Sequence, residues 1–260
     1  TTQMDYAYGV ATDSSGNVYV AGYTQCCRED NSSFAKAADL LLVKYNSSGT
    51  KQWSNQLEST YEVIARGVAT DSSGNVYVAG HTSGGLDNNS NAGNADIFVV
   101  KYNSSGIKQW TKLLGTTTAE IAYGVAIDSS DNVYVVGYTR GGLDGNSNAG
   151  YTDMFVVKYN SSGTKQWLRQ LGTSEWDTAY GVATDSSGNV YVTGGTEGGL
   201  DGTNAGGYDL FVVKYSDNGT KDWTKQLGTS SNDFASGVAT DSSGNVYVTG
   251  NTEGGLDGTN

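Results

Sequence analysis

The sequence predicts an all-β fold built from repeated four-stranded antiparallel units, and three observations support this. A stretch of β-forming residues is written five times, beginning at Gly9, Gly67, Gly124, Gly181 and Gly237, at intervals of 58, 57, 57 and 56 residues. Each copy holds two short strand-like runs around an Asp-Ser-Ser turn. No part of the chain shows the sustained i, i+3, i+4, i+7 apolar pattern of an amphipathic helix, so essentially no helix is expected.

The first half of each repeat predicts a hairpin. In the first copy, the small and β-branched residues 9–12 form one strand, and the turn Asp13-Ser-Ser-Gly16 follows. Aspartate suits the entry of such a turn, and glycine adopts positive φ at little cost. Residues 17–22, Asn-Val-Tyr-Val-Ala-Gly, then alternate as a second strand would.

The second half of each repeat predicts another hairpin after a loop of variable sequence. Its clearest copy is the strand Asp96–Tyr102, the turn Asn103–Gly106 and the strand Lys108–Leu114. The hairpin recurs at residues 39–57, 153–171 and 209–227. Four short antiparallel strands in about 57 residues are the composition of a β-propeller blade, whereas β-helices and helical solenoids have other periods. Large anchors between blades are expected at Trp53, Trp110, Trp167 and Trp223.

The repeats predict one domain spanning residues 1–260. Its units cover approximately residues 1–58, 59–115, 116–172, 173–228 and an incomplete 229–260, in which only the first two strands are present. We expect a closed ring of these units to have five blades, and a ring of six or more blades is the alternative. Two interpretations of the incomplete unit remain open: the sequence belongs to a longer array, or another molecule supplies the outer hairpin by strand addition.

Several blocks recur in fixed order through nearly the whole chain. They are Gly-Val-Ala-Thr-Asp-Ser-Ser-Gly-Asn-Val-Tyr-Val, Asp-x-Phe-Val-Val-Lys-Tyr and Lys-Gln-Trp. With these blocks the chain resembles the bacterial and archaeal SBBP family of β-propeller repeats. The resemblance implies a propeller, commonly found in surface or secreted proteins. It implies no particular chemistry, because propellers host many unrelated activities.

Charge and composition exclude some classes of partner. The net charge is −12 and the sequence pI is about 4.3, which disfavours nucleic acid and anionic membrane surfaces. The longest aliphatic run is Leu40–Val43, too short to insert into a membrane. We expect any secretory signal peptide to be already absent from this sequence. An acidic surface is compatible with cation binding and with solubility outside cells.

Two long loops predict a possible calcium site, because oxygen-bearing side chains alternate along them. The candidate ligands are Asp87, Asn89, Asn91, Asp96, Asp144, Asn146, Asn148 and Asp153. Calcium takes six to eight hard oxygen ligands from flexible turns of this kind. The competing interpretation is an Asx- and Gly-rich turn that binds no ion. No other cofactor is expected.

Other chemistry-bearing residues give weaker signals. Cys26 and Cys27 are the only cysteines and could form a vicinal disulfide, bridge to another subunit or remain thiols. The loop around them departs from the repeat, which makes it a candidate contact surface. His81 is the sole histidine, and the other units place Tyr23, Tyr138, Gly195 and Asn251 at its position. That tolerance predicts a surface position, and one histidine cannot build a multi-histidine metal centre.

The leading functional prediction is a non-catalytic extracellular or cell-surface propeller that acts as a scaffold, an adhesion module or a self-assembling, filament-forming module. Its expected partners are further copies of itself, another cell-surface protein or a glycan. The alternative is a lectin-like or other ligand-binding propeller that uses Tyr23, Tyr138 and the long loops around them. An enzyme using carboxylates is the least favoured hypothesis, so the chain is predicted not to be an enzyme.

Overall fold

The computed structural model of the protein describes residues 4–25 and 38–256. Nearly all regular structure in these residues is short antiparallel strands. The strands of the first two repeats are β1 (Asp5–Thr12), β2 (Val18–Gln25), β3 (Ala38–Tyr45), β4 (Lys51–Leu57), β5 (Val63–Thr70), β6 (Val76–Thr82), β7 (Asp96–Tyr102) and β8 (Lys108–Leu114). Those of the remaining repeats are β9 (Glu120–Ile127), β10 (Val133–Thr139), β11 (Asp153–Tyr159), β12 (Lys165–Leu171), β13 (Asp177–Thr184), β14 (Val190–Thr196), β15 (Asp209–Tyr215), β16 (Lys221–Leu227), β17 (Asp233–Thr240) and β18 (Val246–Thr252).

The strands pair in chain order into four sheets of four strands and one of two. The sheets are β1–β2–β3–β4, β5–β6–β7–β8, β9–β10–β11–β12, β13–β14–β15–β16 and β17–β18. The predicted all-β fold, with four complete four-stranded units and the first half of a fifth, is confirmed. Within the described residues, the single helical element is a 3-10 turn at Leu143–Gly145. None of the helical structure described is long and apolar enough to cross a membrane.

The strands are distributed over two compact units, Thr1–Val125 and Ala126–Asn260. The assignment of residues 1–260 to a single domain and the number of blades in a closed ring stay predictions. Cys26 and Cys27 lie outside the described residues.

Within each of the two compact units, neighbouring sheets pack against each other through the predicted tryptophans. In the first unit, Trp53 packs against buried residues of the first and second sheets, and its indole N–H donates to the carbonyl oxygen of Ser104 at 3.3 Å. In the second unit, Trp167 of β12 donates in the same way to the carbonyl oxygen of Asp217, at 2.9 Å, in the neighbouring sheet. The role of these two side chains as anchors between blades is confirmed.

The aspartate at the start of the Asp-Ser-Ser turn accepts hydrogen bonds that stabilise the first hairpin of each repeat. Asp128 shows the arrangement: one carboxylate oxygen accepts the backbone N–H groups of Ser130 and Asn132, and the other accepts the Asn132 amide and the Tyr134 hydroxyl, at 2.8–2.9 Å. Burial raises the pKa of Asp128, but these hydrogen bonds outweigh burial and hold its pKa below the ordinary value of 3.8. The same bond from the backbone N–H of the asparagine four residues later recurs in every repeat, so the repeated aspartate stabilises the turn.

We expect Asp128→Asn to lower stability at neutral pH and to flatten its dependence on pH in acid. Because the pKa of Asp128 is lower in the folded protein than in the unfolded chain, its carboxylate takes up a proton less readily in the folded state. The stabilisation is therefore present above about pH 4 and is lost as pH falls through the folded pKa. Urea unfolding between pH 2 and 7 measures this.

The matched control for this substitution is Ser129→Ala, which changes an exposed neighbour in the same turn. We expect this control to retain the acid slope of the original chain. An equally steep loss of stability in Asp128→Asn and in the original chain would show that the Asp128 carboxylate makes no such contribution.

Candidate functional site

The two loops predicted to bind calcium use their polar side chains largely for contacts within the protein. In the second repeat, the Asp87 carboxylate is paired with the Lys108 ammonium group, and its other oxygen accepts the Thr111 hydroxyl at 2.5 Å. The Asn89 amide donates to backbone carbonyls of the same loop. Asn91 accepts from the backbone of residue 93 and donates to that of residue 82. These bonds account for the Asx-rich composition of the loop.

The corresponding loop of the third repeat has the same construction. Asp144 pairs with Lys165 at 2.5 Å, and the amides of Asn146 and Asn148 donate to backbone carbonyls. Asp153 accepts the Ala149 backbone N–H at 3.0 Å. Within the described residues, no three His, Cys, Asp or Glu side chains converge as a metal site would require. Calcium binding by these loops stays a prediction, and a bound ion would compete with the lysines that pair with Asp87 and Asp144.

The sequence did not predict the burial of carboxylates at the junctions between repeats, although Asp96 and Asp153 were among the candidate calcium ligands. Asp153, at the start of β11, and Asp177, at the start of β13, are both almost completely buried. The Asp177 backbone N–H donates to the carbonyl oxygen of Thr152 at 3.0 Å. Burial, and then the nearby Asp153 carboxylate, raise the pKa of Asp177. Equivalent buried acids occur at Asp96 and Glu120, and at Asp209 and Asp233, so the arrangement belongs to the repeated architecture.

A β-bulge positions one residue of each of the first strands β1, β5, β13 and β17 differently from its neighbours. The register between β5 and β6 shifts between Ala65 and Gly67, which leaves Arg66 as the extra residue. Bulges of this kind redirect a side chain and are common beside functional sites. The same shift leaves Tyr8 as the extra residue of β1.

The redirected side chains Tyr8 and Arg66 join other tyrosines in a stacked column within residues 1–125. Tyr6 stacks on Tyr23 at 4.9 Å between ring centroids, and Tyr23 stacks on Tyr8 at 5.9 Å. The Arg66 guanidinium carbon lies over the Tyr8 ring at 5.1 Å and over the Tyr123 ring at 5.2 Å. The column therefore contains four tyrosine rings and one cation. The signal that could have found it is the single arginine at a repeat position where Tyr8, Tyr123, Tyr180 and Ser236 stand in the other units.

His81 lies beside this column and is buried, with 8% of its surface exposed. The prediction of a surface position for His81 is therefore wrong. Burial, and then the Arg66 charge, lower its pKa to about 4, so the imidazole is neutral at physiological pH. The imidazole Nδ1 and the Arg66 Nε are both buried without a hydrogen-bond partner among the described residues.

Of the two tyrosines predicted to form a ligand surface, Tyr23 is part of the column. Tyr138 belongs to the other compact unit, Ala126–Asn260. The Tyr23 hydroxyl is hydrogen-bonded to Tyr8, and burial and this bond raise its pKa. The column combines aromatic faces, hydroxyl groups and a cation, which is the composition of a binding site for a small polar ligand.

A family model described as a β-propeller repeat, SBBP, matches residues 2–25, 52–87, 109–144, 166–201 and 222–257, together more than half of the chain. The chain is 27% identical over 247 residues to Regulatory protein FlaEY of Caulobacter vibrioides, covering 82% of this chain and 26% of that protein. It is 26% identical over 218 residues to an uncharacterized WD repeat-containing protein of Acanthamoeba polyphaga mimivirus, covering 65% and 16%. The chain thus spans about a quarter or less of these relatives.

Solved structures with the same fold are distant in sequence. A protein of unknown function from Dyadobacter fermentans is 13% identical with a TM-score of 0.54, over 90% of this chain and 72% of that one. A gluconolactonase from Xanthomonas campestris is 11% identical with a TM-score of 0.50, over 95% of this chain and 70% of that one. At these identities the likeness concerns the fold alone.

The likeness to the gluconolactonase corrects the prediction that the chain is not an enzyme. A structure with this fold is a gluconolactonase, so repetition of the blades gives no ground for excluding catalysis. The physical reason is that catalytic groups can stand on loops and on single departing positions, which the repeated strands do not determine.

Proposed function

Because the chain belongs to the SBBP family of β-propeller repeats, we propose that it is an extracellular or cell-surface scaffold that assembles with further copies of itself. In this proposal, the two strands of its incomplete blade, β17 and β18, pair with the same two strands of a second copy. The product is one four-stranded antiparallel sheet shared between two molecules.

The observation that carries the proposal is the unpaired edge of β18. In the complete sheets, the second strand pairs with the first strand on one side and the third on the other, as β14 does with β13 and β15. Within the described residues, β18 pairs with β17 alone. Such an edge presents unpaired N–H and C=O groups that favour addition of another strand.

The side chains of β18 are also more exposed than those of complete blades. Tyr247 is 56% exposed, whereas Tyr191, at the same position of the preceding repeat, is 5% exposed. Two copies of β18 related by a two-fold axis would run antiparallel, as neighbouring strands of each blade do. The strand order β17–β18 followed by β18–β17 of the second copy would then contain four strands, like each complete blade.

The acidic composition is consistent with a location outside cells. A net charge of −12 keeps an assembly soluble and limits adhesion to nucleic acid and anionic lipid. The competing occupant of the β18 edge is a third strand from a longer form of the same chain, and this alternative predicts that the longer form is a monomer.

We expect Tyr247→Lys to weaken self-association by about tenfold or more, because a buried lysine at a strand edge opposes pairing. Sedimentation equilibrium of the 260-residue chain over a concentration series measures this. The matched control is Ile107→Lys, which adds the same charge at a turn residue that is 62% exposed. The control should associate like the original chain. A chain that stays monomeric throughout the series, or equal association of both variants, would contradict the proposal.

A further inference from the structure

Arg66 is a cation without an anionic partner among the described residues. The ion pairs found there involve only lysines. Arg66 contacts the faces of Tyr8 and Tyr123, and its buried Nε–H donates to no acceptor. Contacts with ring faces leave the N–H groups along the guanidinium edge available, and this edge matches the two oxygens of a carboxylate.

The surroundings of Arg66 favour an anion with a single charge. The chain carries a net charge of −12, which repels phosphorylated or polyanionic ligands. The Arg66 charge acts on His81, whose pKa is lowered to about 4 by burial and by Arg66, so the imidazole is neutral at neutral pH. Arg66 is half-buried, and its terminal Nη groups, not the buried Nε–H, would donate to a bound carboxylate.

The stacked column also offers a surface that could contact the part of a ligand beyond its carboxylate. Tyr6 and Tyr8 are 39% and 49% exposed, and their hydroxyl groups stand beside apolar ring surface. Aromatic side chains of this kind combine an apolar body with a polar tip. This combination suits a sugar ring, which presents C–H groups on its faces and hydroxyl groups at its rim.

We propose that the stacked column of Tyr6, Tyr23, Tyr8, Arg66 and Tyr123 binds an acidic sugar, with the sugar carboxylate on the Arg66 guanidinium. Arg66 is the residue that determines specificity for acidic over neutral sugars. The site lies within the first unit and is independent of the β18 edge, so self-association can fail without affecting it.

Isothermal titration calorimetry with sodium glucuronate, glucose and sodium acetate tests the proposal. We expect glucuronate to bind more tightly than either glucose, which lacks the carboxylate, or acetate, which lacks the ring. Arg66→Gln should weaken glucuronate binding by roughly 10- to 100-fold, the effect of losing charge-assisted hydrogen bonds. Arg66→Lys should bind glucuronate with intermediate affinity, because lysine retains the positive charge but cannot donate two parallel hydrogen bonds to the carboxylate.

Arg140→Gln is the matched control. The Arg140 guanidinium also lies over an aromatic ring, that of Trp176 at 5.4 Å, and the side chain is exposed. This variant should bind glucuronate like the original chain. Glucose or acetate binding as tightly as glucuronate, unchanged binding by Arg66→Gln, or no saturable binding would each overturn the proposal. If Arg66→Gln fails to fold, the affinity of Arg66→Lys for glucuronate and the affinities of the original chain for the three ligands still test the proposal.

Discussion

Replacing Gly80 with alanine is expected to destabilise the first unit by about 3 kcal/mol or more. A Cβ at this position would lie 2.0 Å from the carbonyl oxygen of Ile64, and the backbone of β5 cannot give way without breaking its pairing with β6. The glycine thus permits the close approach that accompanies the bulge at Arg66. Thermal unfolding followed by circular dichroism should show a fall of roughly 6–12 °C in the melting temperature.

The control for Gly80→Ala is Gly237→Ala. The close neighbour of a Cβ at Gly237 is the Thr249 hydroxyl at 3.0 Å, which belongs to a side chain that can rotate. This variant should lose much less stability. Equal melting temperatures for the two variants would show that the close contact opposite the bulge does not matter.

Trp167→Ala is expected to cost about 3 kcal/mol, because it removes an anchor between two neighbouring sheets. The indole ring lies 6.0 Å from the Tyr134 ring of its own sheet and 6.4 Å from the Tyr215 ring of the next, measured between centroids. Its N–H donates to the carbonyl oxygen of Asp217. Urea denaturation at low protein concentration measures the loss.

Trp223 is a matched control for Trp167, because it occupies the same position in the following repeat. Trp223 keeps the equivalent contact with its own sheet, 6.1 Å from the Tyr191 ring, but the described residues hold only the first hairpin of the fifth repeat, β17–β18, and not the second hairpin that Trp167 packs against in the fourth. Trp223→Ala should therefore cost clearly less than Trp167→Ala. Equal losses would mean that the tryptophan stabilises its own sheet and not the junction.

Much of the fold could be predicted from the sequence because it depends on local patterns that occur several times. The strands predicted at Asp96–Tyr102 and Lys108–Leu114 are β7 and β8 as observed. Their boundaries are set by turn residues, whose conformational preferences act over a few positions. Repetition then reduced the ambiguity that a single short strand leaves.

The column around Arg66 could not be predicted, because it depends on positions where the repeats differ. Arg66 acquires its role from a bulge and from tyrosines of other strands, and strand register is not visible in one sequence. His81 was misjudged for a related reason: diverse residues at one repeat position suggested exposure, but the depth of that position differs between copies. The burial of Asp177 close enough for the Asp153 charge to raise its pKa likewise depends on how separate strands come together.

The proposed assembly depends on one structural element, the free edge of β18. Hydrogen–deuterium exchange of the backbone amides in Val246–Thr252, followed over a protein concentration series, tests it most directly. For the β18 amides that do not donate to β17, we predict rapid exchange in the dilute monomer and slow exchange once the mass doubles. Exchange that stays equally rapid in the dimer, or equally slow in the dilute monomer, would show that β18 is not where two copies meet.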